Sequence, residues 1–301
     1  MPAILSLHAI SKNYGIIRAL NNVSFSVPEG CVFGILGPNG SGKTTLLSIV
    51  LDILKPTAGN FQLFGADPSP ALRRHMGTLL ETPNFYHYLS GEDNLVIAAG
   101  IKGKGKEDIP AVLEKTGLLQ RKNSRFSTYS LGMKQRLAIA AALLGDPSVL
   151  LFDEPTNGLD PSGIAEIRTL IKQLAKDGKT IIMASHLLDE VEKVCTHVAI
   201  LKRGDLLTAG PVNEVLVNED IVEMSAKDLA RLAGIIQQYP AFKSLKTRDG
   251  ILQVSFSNSV QLDEVNRFCF EQGTALSSLQ LRKKSLEAKF IELTEPNSPR
   301  P

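Results

Sequence analysis

Residues 37–44 of this chain, Gly-Pro-Asn-Gly-Ser-Gly-Lys-Thr, constrain its fold most, because they satisfy the phosphate-loop pattern G-x-x-x-x-G-K-[ST] in full. Just before them, Val32-Phe-Gly-Ile-Leu36 is nearly continuous apolar sequence, as a strand covered on both faces requires. Just after, Lys43 to Val50 has helical character. A strand that enters a helix through glycines lets successive backbone N–H groups curl around a phosphate at the helix's positive end. Lys43 is then expected to bridge the β- and γ-phosphates of a nucleotide, with the Thr44 hydroxyl on Mg2+. Gly37, Pro38, Asn39, Gly40, Ser41, Gly42 and Thr45 complete the expected cradle.

A phosphate loop alone leaves kinases, GTPases and ATPases open. The second buried strand, Val149-Leu-Leu-Phe152, ends in Asp153-Glu154-Pro155. Ligands of parallel α/β sheets sit at the strands' carboxyl ends. Asp153 is therefore the expected metal-shell carboxylate, and Glu154 the group that polarises water for attack on the γ-phosphate. The helix that follows is bounded by Asp160 as cap, Pro161 in its first turn and Gly178 at its end. Thr180-Ile-Ile-Met-Ala184 is a third buried strand ending at Ser185-His186, and two further strands meet in a hairpin at Lys202-Arg-Gly-Asp205. Strands alternating with helices imply an α/β fold with a mainly parallel sheet. Gly100 to Lys106 interrupts a helical middle section and reads as a solvated loop or a basic surface patch.

Composition narrows the partners. With 33 basic and 31 acidic side chains and a net charge of +2, the anion site must be local, and nucleic-acid binding by bulk charge is not expected. Apolar residues at 43% suffice for a full core. Cys31, Cys195 and Cys269 lack metal-ligand spacing and are expected to be reduced thiols. The apolar run Leu137 to Leu144 falls short of the roughly 20 residues that span a bilayer, and no signal peptide is visible. The expectation is a soluble, intracellular chain that serves a membrane only through a partner.

After Gly210-Pro211 the pattern changes. Ile221 to Met224 reads as a strand, Lys227 to Gln238 as a helix, and Phe242 to Ser257 as two strands about Asp249-Gly250. A helix from Val260 to Gln272, a strand from Leu276 to Leu281 and a last helix from Ser285 to Leu293 follow. This β-α-β-β-α-β order implies a small ferredoxin-like α+β domain. The expected domains are residues 1–213 and 214–301.

The order and spacing of further motifs carry a family resemblance. Ser130-Leu-Gly-Met-Lys-Gln-Arg136 precedes Asp153-Glu154-Pro155-Thr156, then come Gly158-Leu159-Asp160 and Ser185-His186. With the phosphate loop, this set resembles the nucleotide-binding domain of ATP-binding cassette (ABC) ATPases over residues 3–213. The resemblance implies a P-loop NTPase core with an antiparallel β arm and a helical subdomain. It implies Tyr14 stacking on adenine, and Ser130 and Gly132 meeting the γ-phosphate from a second copy in a head-to-tail dimer around two ATP. Asp160 would also act across that interface, and His186 would position the γ-phosphate and attacking water.

Two departures stand out. Met133 stands where the signature usually has glutamine and offers only a weak acceptor, although Ser130 and Gly132 are kept. Glu81, in Thr78-Leu-Leu-Glu81-Thr82-Pro83, stands where the family has glutamine. It is expected to substitute functionally as a catalytic and metal-contacting group. Both departures resemble the branch of exporters linked to antibiotic or bacteriocin resistance and lipid or polysaccharide export. Leu286 to Thr294 resembles the closing motif of that branch's accessory domain. The resemblance implies a separate membrane permease as partner, docked near Phe85, Tyr86, His87, Tyr88 and Leu89, with the chain on the cytoplasmic face. The rival reading, a soluble regulatory or nucleic-acid-associated ABC ATPase, lacks support because no second phosphate loop, second signature or heptad run is present.

Overall fold

The computed structural model describes residues 2–80, 83–215, 221–248, 250–258, 260–282 and 290. The chain divides into two compact units, Met1–Val215 and Leu216–Pro301.

In the first unit the strands are β1 (Ala3–Tyr14), β2 (Ile17–Pro28), β3 (Val32–Leu36), β4 (Ala58–Leu63) and β5 (Met76–Leu79). They continue with β6 (Val149–Asp153), β7 (Thr180–Ser185), β8 (His197–Lys202) and β9 (Asp205–Pro211). The helices are α1 (Lys43–Val50), α2 (Pro70–Arg73), α3 (Gly91–Lys102) and α4 (Ile109–Lys115). After them come α5 (Leu131–Leu143), α6 (Pro161–Lys176), α7 (Leu188–Val194) and α8 (Val212–Val215).

Among the described residues these strands form one nine-stranded sheet, in the order β4-β1-β2-β9-β8-β3-β7-β6-β5. From β8 to β5 neighbouring strands are parallel. Every residue of β3, β6 and β7 is buried, which explains their unbroken apolar sequence. β1 pairs antiparallel with both β2 and β4 to form an arm. Along β2, Val23, Phe25 and Val27 face inward while Ser24 and Ser26 face out, as in a half-buried strand. The predicted hairpin between β8 and β9 is present.

Packing, not propensity, holds the helix that follows the phosphate loop. An isolated helix of eight residues is unstable in water. α1 instead buries Leu46, Leu47, Ile49 and Val50 in the core beneath the sheet. Each fully buried side chain of this size contributes about 1.5–3 kcal/mol, enough to fix the helix where the loop needs it.

The stretch around Gly100–Lys106 is in part the exposed loop expected, with Gly103, Lys104 and Lys106 exposed, but two of its lysines are engaged by carbonyls. Half-buried Lys102 donates through Nζ to the carbonyls of Ala141 (2.7 Å), Ala142 (3.0 Å) and Leu144 (3.2 Å). Lys104 donates to the carbonyls of Arg74 and Gly145, each at 3.1 Å. α5 has no basic residue in its own last turn. Its unsatisfied carbonyls are therefore capped from the end of α3. Burial, followed by the nearby Lys104 charge, pushes the Lys102 amine down to about 8.

The second unit contains β10 (Ile221–Ala226), α9 (Leu229–Ile236), β11 (Phe242–Arg248), β12 (Ile251–Phe256), α10 (Leu262–Glu271) and β13 (Leu276–Arg282). Its antiparallel sheet runs β11-β12-β10-β13, the split β-α-β arrangement of a ferredoxin-like domain. Val222, Met224, Val254 and Phe256 from the sheet pack with Leu232, Ile236, Val265 and Cys269 from the helices. Asp249 of the expected turn, the last expected helix over 285–293 and the closing motif over 286–294 lie outside the described residues.

Cys31, Cys195 and Cys269 are free and buried. Burial raises all three thiols, Cys31 to about 11, so they resist ionisation. Among the described residues, no helix is long and apolar enough to cross a membrane.

Candidate functional site

The site is built where the buried strands end. β3 delivers the phosphate loop, β6 ends at Asp153 and β7 ends at Ser185, so Glu154 and His186 emerge from neighbouring parallel strands. The loop can curl this tightly only with glycine. Gly42, immediately before α1, has φ +104, and a Cβ there would sit 2.5 Å from the Ala19 carbonyl oxygen. At Gly37 a Cβ would lie 2.3 Å from the Leu201 carbonyl oxygen.

The loop's polar groups converge. Lys43 Nζ donates to the carbonyls of Gly37 (2.8 Å) and Pro38 (3.3 Å) and lies 3.3 Å from Glu154 Oε1. Glu154 Oε2 is 2.8 Å from His186 Nδ1. Glu154 thus sits between the loop lysine and the histidine, with an uncommon left-handed backbone of φ +50. The Thr44 hydroxyl donates to Asp153 Oδ2 at 2.7 Å. The Ser41 hydroxyl is buried without a hydrogen-bond partner among the described residues.

These features fit the groups expected from sequence. A helix amino terminus, glycine-exposed amides, Lys43 and the unsatisfied Ser41 hydroxyl suit a nucleotide phosphate chain. The Thr44 and Asp153 oxygens are hard donors held together, which is what Mg2+ takes. Glu81, and Thr82 beside it, lie outside the described residues.

Two cavities flank the loop. One, of about 420 Å3, runs from Ile17, Arg18 and Ala19 along residues 39–45 to Glu154 and Arg203. The other, of about 320 Å3, is lined by Thr44, Pro83, Leu131, Gln135, Asp153, Glu154 and Asn157. Tyr14 pairs with Ile17 at the tip of the arm and is 46% exposed, with Lys12 Nζ 5.4 Å from its ring centroid. It stands beside the first cavity without lining it.

Other predicted residues are not brought into the loop cavity. Ser130 is exposed and caps α5, its hydroxyl accepting from the Met133 amide at 3.3 Å. Gly132 follows in the first turn, where a Cβ would meet nothing nearer than Leu159 at 4.0 Å. Asp160 is exposed and caps α6 through the Gly163 amide at 3.0 Å. Sequence reasoning did not single out Arg18, Gln135 or Arg203 as site residues. The Arg203-Gly204 turn was legible as a hairpin, but turn chemistry alone does not say what lies beside it.

Known proteins resemble this chain in sequence and in fold. A family model described as "ABC transporter" matches residues 20–157. The bacitracin transport ATP-binding protein BcrA of Enterococcus faecalis is 35% identical over 300 residues, covering 97% of both chains. Among solved structures, CbiO1 of Clostridium perfringens, part of the ABC transporter complex CbiONQ, is 31% identical with a TM-score of 0.66. That match covers 72% of this chain and 92% of CbiO1. The dimeric structure of MJ0796, a bacterial ABC transporter cassette, is 27% identical with a TM-score of 0.63, covering 69% of this chain and 99% of that one.

Proposed function

Because this chain belongs to the ABC transporter family, as an ATP-binding subunit that hydrolyses ATP to power transport, we propose that two copies close head-to-tail around two ATP and drive a separate membrane permease in export. The observation that carries this reading is Glu154, held between Lys43 and His186 beside the Thr44–Asp153 pair.

In this reading the phosphate-loop amides and Lys43 hold the phosphate chain of ATP, and Tyr14 stacks on its base. Thr44 and Asp153 would hold Mg2+, which would neutralise charge on the phosphate chain, and the role expected of Glu81 from the sequence, as a further metal-contacting group, belongs to the same proposal. Glu154 leaves Lys43 when the γ-phosphate takes that lysine, and then accepts a proton from the attacking water. His186 orients Glu154 and supports the charge that develops. The reaction is phosphoryl transfer to water, in which positioning and electrostatics supply most of the acceleration. Ser130, Gly132 and Asp160 act on the other copy's ATP, and the dimeric cassette MJ0796 supports such pairing.

The permease docks along Phe85–Leu89 at the cytoplasmic face. Tyr86 and Tyr88 are 51% and 70% exposed there, and a cavity of about 380 Å3 opens between this segment and α3. Exposed aromatics beside a groove suit a partner surface. Export of an antibiotic-like or lipid-linked molecule is supported by the name of the bacitracin transport relative. Residues 214–301 form the accessory domain.

The test is Glu154→Gln. It should bind ATP with wild-type affinity and lose turnover by about 100-fold or more, as expected for loss of a general base. A variant that hydrolyses ATP at the wild-type rate would sink the assignment.

A further inference from the structure

The turn between β8 and β9 holds a charged side chain that neither turn chemistry nor the contacts among the described residues explain. Arg203 and Gly204 have φ +50 and +85, the left-handed pair that a two-residue hairpin turn of this type needs. Asparagine, aspartate or glycine suits the first of these positions, and an arginine there carries a conformational cost.

The turn cannot drift away from the phosphate loop. The Gly204 amide donates to the Ser41 carbonyl at 3.0 Å, and its carbonyl accepts from the Asn21 amide at 2.9 Å. A Cβ on Gly204 would sit 2.8 Å from the Ala19 carbonyl oxygen. Arg203 is thereby fixed at the shoulder of the loop, where it lines the cavity of about 420 Å3.

Arg203 has no hydrogen bond or ion pair among the described residues, unlike the cavity's other cations. Arg18 donates to Asn21 Oδ1 at 3.0 Å, and Lys43 is engaged by the Gly37 carbonyl and Glu154. Glu154 is the one carboxylate lining this cavity, and Lys43 and His186 already occupy it. A guanidinium held beside a phosphate loop, with no anion of its own, matches the fork geometry that phosphate oxygens accept. Its anchor is Ser41 in the middle of the loop, whereas Lys43 and Glu154 mark the γ-phosphate end.

We propose that Arg203 is a further nucleotide-binding residue, contacting the α,β-diphosphate oxygens from the β8–β9 turn. This rests on reading the loop cavity as the ATP site, so its test carries a control for that reading.

The full chain is titrated with ATP and with ADP in four forms: wild type, Arg203→Asn, Arg203→Lys and Lys43→Ala. Asparagine suits the turn, so Arg203→Asn should melt at or above the wild-type temperature. Its Kd for ATP and for ADP should both rise about tenfold, the size of one lost charge-assisted contact. Arg203→Lys should recover most of that loss. Binding of both nucleotides within twofold of wild type, with Lys43→Ala impaired for ATP, overturns the role of Arg203 and leaves the site reading intact. A loss for ATP alone, with ADP unchanged, overturns the diphosphate assignment. Undiminished ATP binding by Lys43→Ala overturns the site reading, and this inference with it.

Discussion

The phosphate loop and the Ser130 turn each lead into a helix amino terminus, yet the chain surrounds them in opposite ways. At the loop, Lys43 is buried, Thr44 is bonded to Asp153, and Glu154 is held from two sides. At the Ser130 turn the exposed cap residue is bonded, among the described residues, to its own helix, and neighbouring Leu131 is 43% exposed. Gly132 leaves its open side without a close neighbour. One helix end is finished by its own chain, and the other is presented outward. An exposed helix terminus with a hydroxyl, a glycine and an apolar side chain is a surface awaiting something that brings both an anion and an apolar contact. In the proposed dimer, a second copy carrying ATP would supply both.

Substitution at Gly132 should break this contrast most sharply. A carboxylate in the first turn of α5 favours the helix itself, by a few tenths to about 1 kcal/mol, yet repels a γ-phosphate. Gly132→Asp should therefore fold at least as well as wild type and bind ATP through its own loop unchanged. Steady-state phosphate release should fall about 100-fold. Undiminished release would mean that the Ser130 turn never meets ATP.

Tyr14→Ala sharpens the description of the loop half, with a smaller expected effect. Stacking of a base on an aromatic ring contributes about 1–3 kcal/mol, so Kd for ATP should rise by roughly tenfold. Tyr14→Phe should bind like wild type. Equal affinity for all three forms would leave the base without its platform.

The smallest effect concerns the far end of α5. Lys102→Met removes the cap on the Ala141, Ala142 and Leu144 carbonyls and should cost about 1 kcal/mol of stability. The pH dependence has a definite sign. The folded amine lies at about 8, below its usual 10.5. Between those values the unfolded chain binds more protons, so wild type gains stability as pH rises through that window. Urea midpoints of wild type and Lys102→Met at about pH 7.5, below the window, and at about pH 9.5, within it, should diverge in favour of wild type at the higher pH. Parallel midpoints would show that Lys102 titrates in the ordinary lysine range.

The legible parts of the fold were those whose sequence obeys one rule at a time. β3, β6 and β7 are buried along their whole length and read as unbroken apolar runs. Asp160 and Pro161 marked the start of α6. The β1–β2–β4 arm was harder to read, because its pairing slips register at several points and bends through Ala9 and Asn22 at positive φ. Val23 to Val27 of β2 alternates, but the bulged pairing breaks that alternation elsewhere along the arm.

The site divides similarly. Lys43, Thr44, Asp153, Glu154 and His186 were readable because strand ends place them, and the structure brings them within hydrogen-bonding distance of one another in sequence-remote pairs. Lys102 and Arg203 were not, because their environments come from other segments. The carbonyls that Lys102 caps lie about forty residues away, as helix-end geometry requires a partner only somewhere in space. Arg203 comes beside the loop through the Gly204–Ser41 hydrogen bond, which no local pattern announces.

In the proposed dimer each chain holds half of each ATP site. Sedimentation of Glu154→Gln with ATP and Mg2+ tests it most directly, because that variant should hold ATP without consuming it. The account predicts a species of twice the chain's mass that dissociates when ATP is replaced by ADP and fails to form when Gly132→Asp is added. A Glu154→Gln chain that binds ATP fully and still sediments as a monomer at micromolar concentration would contradict it.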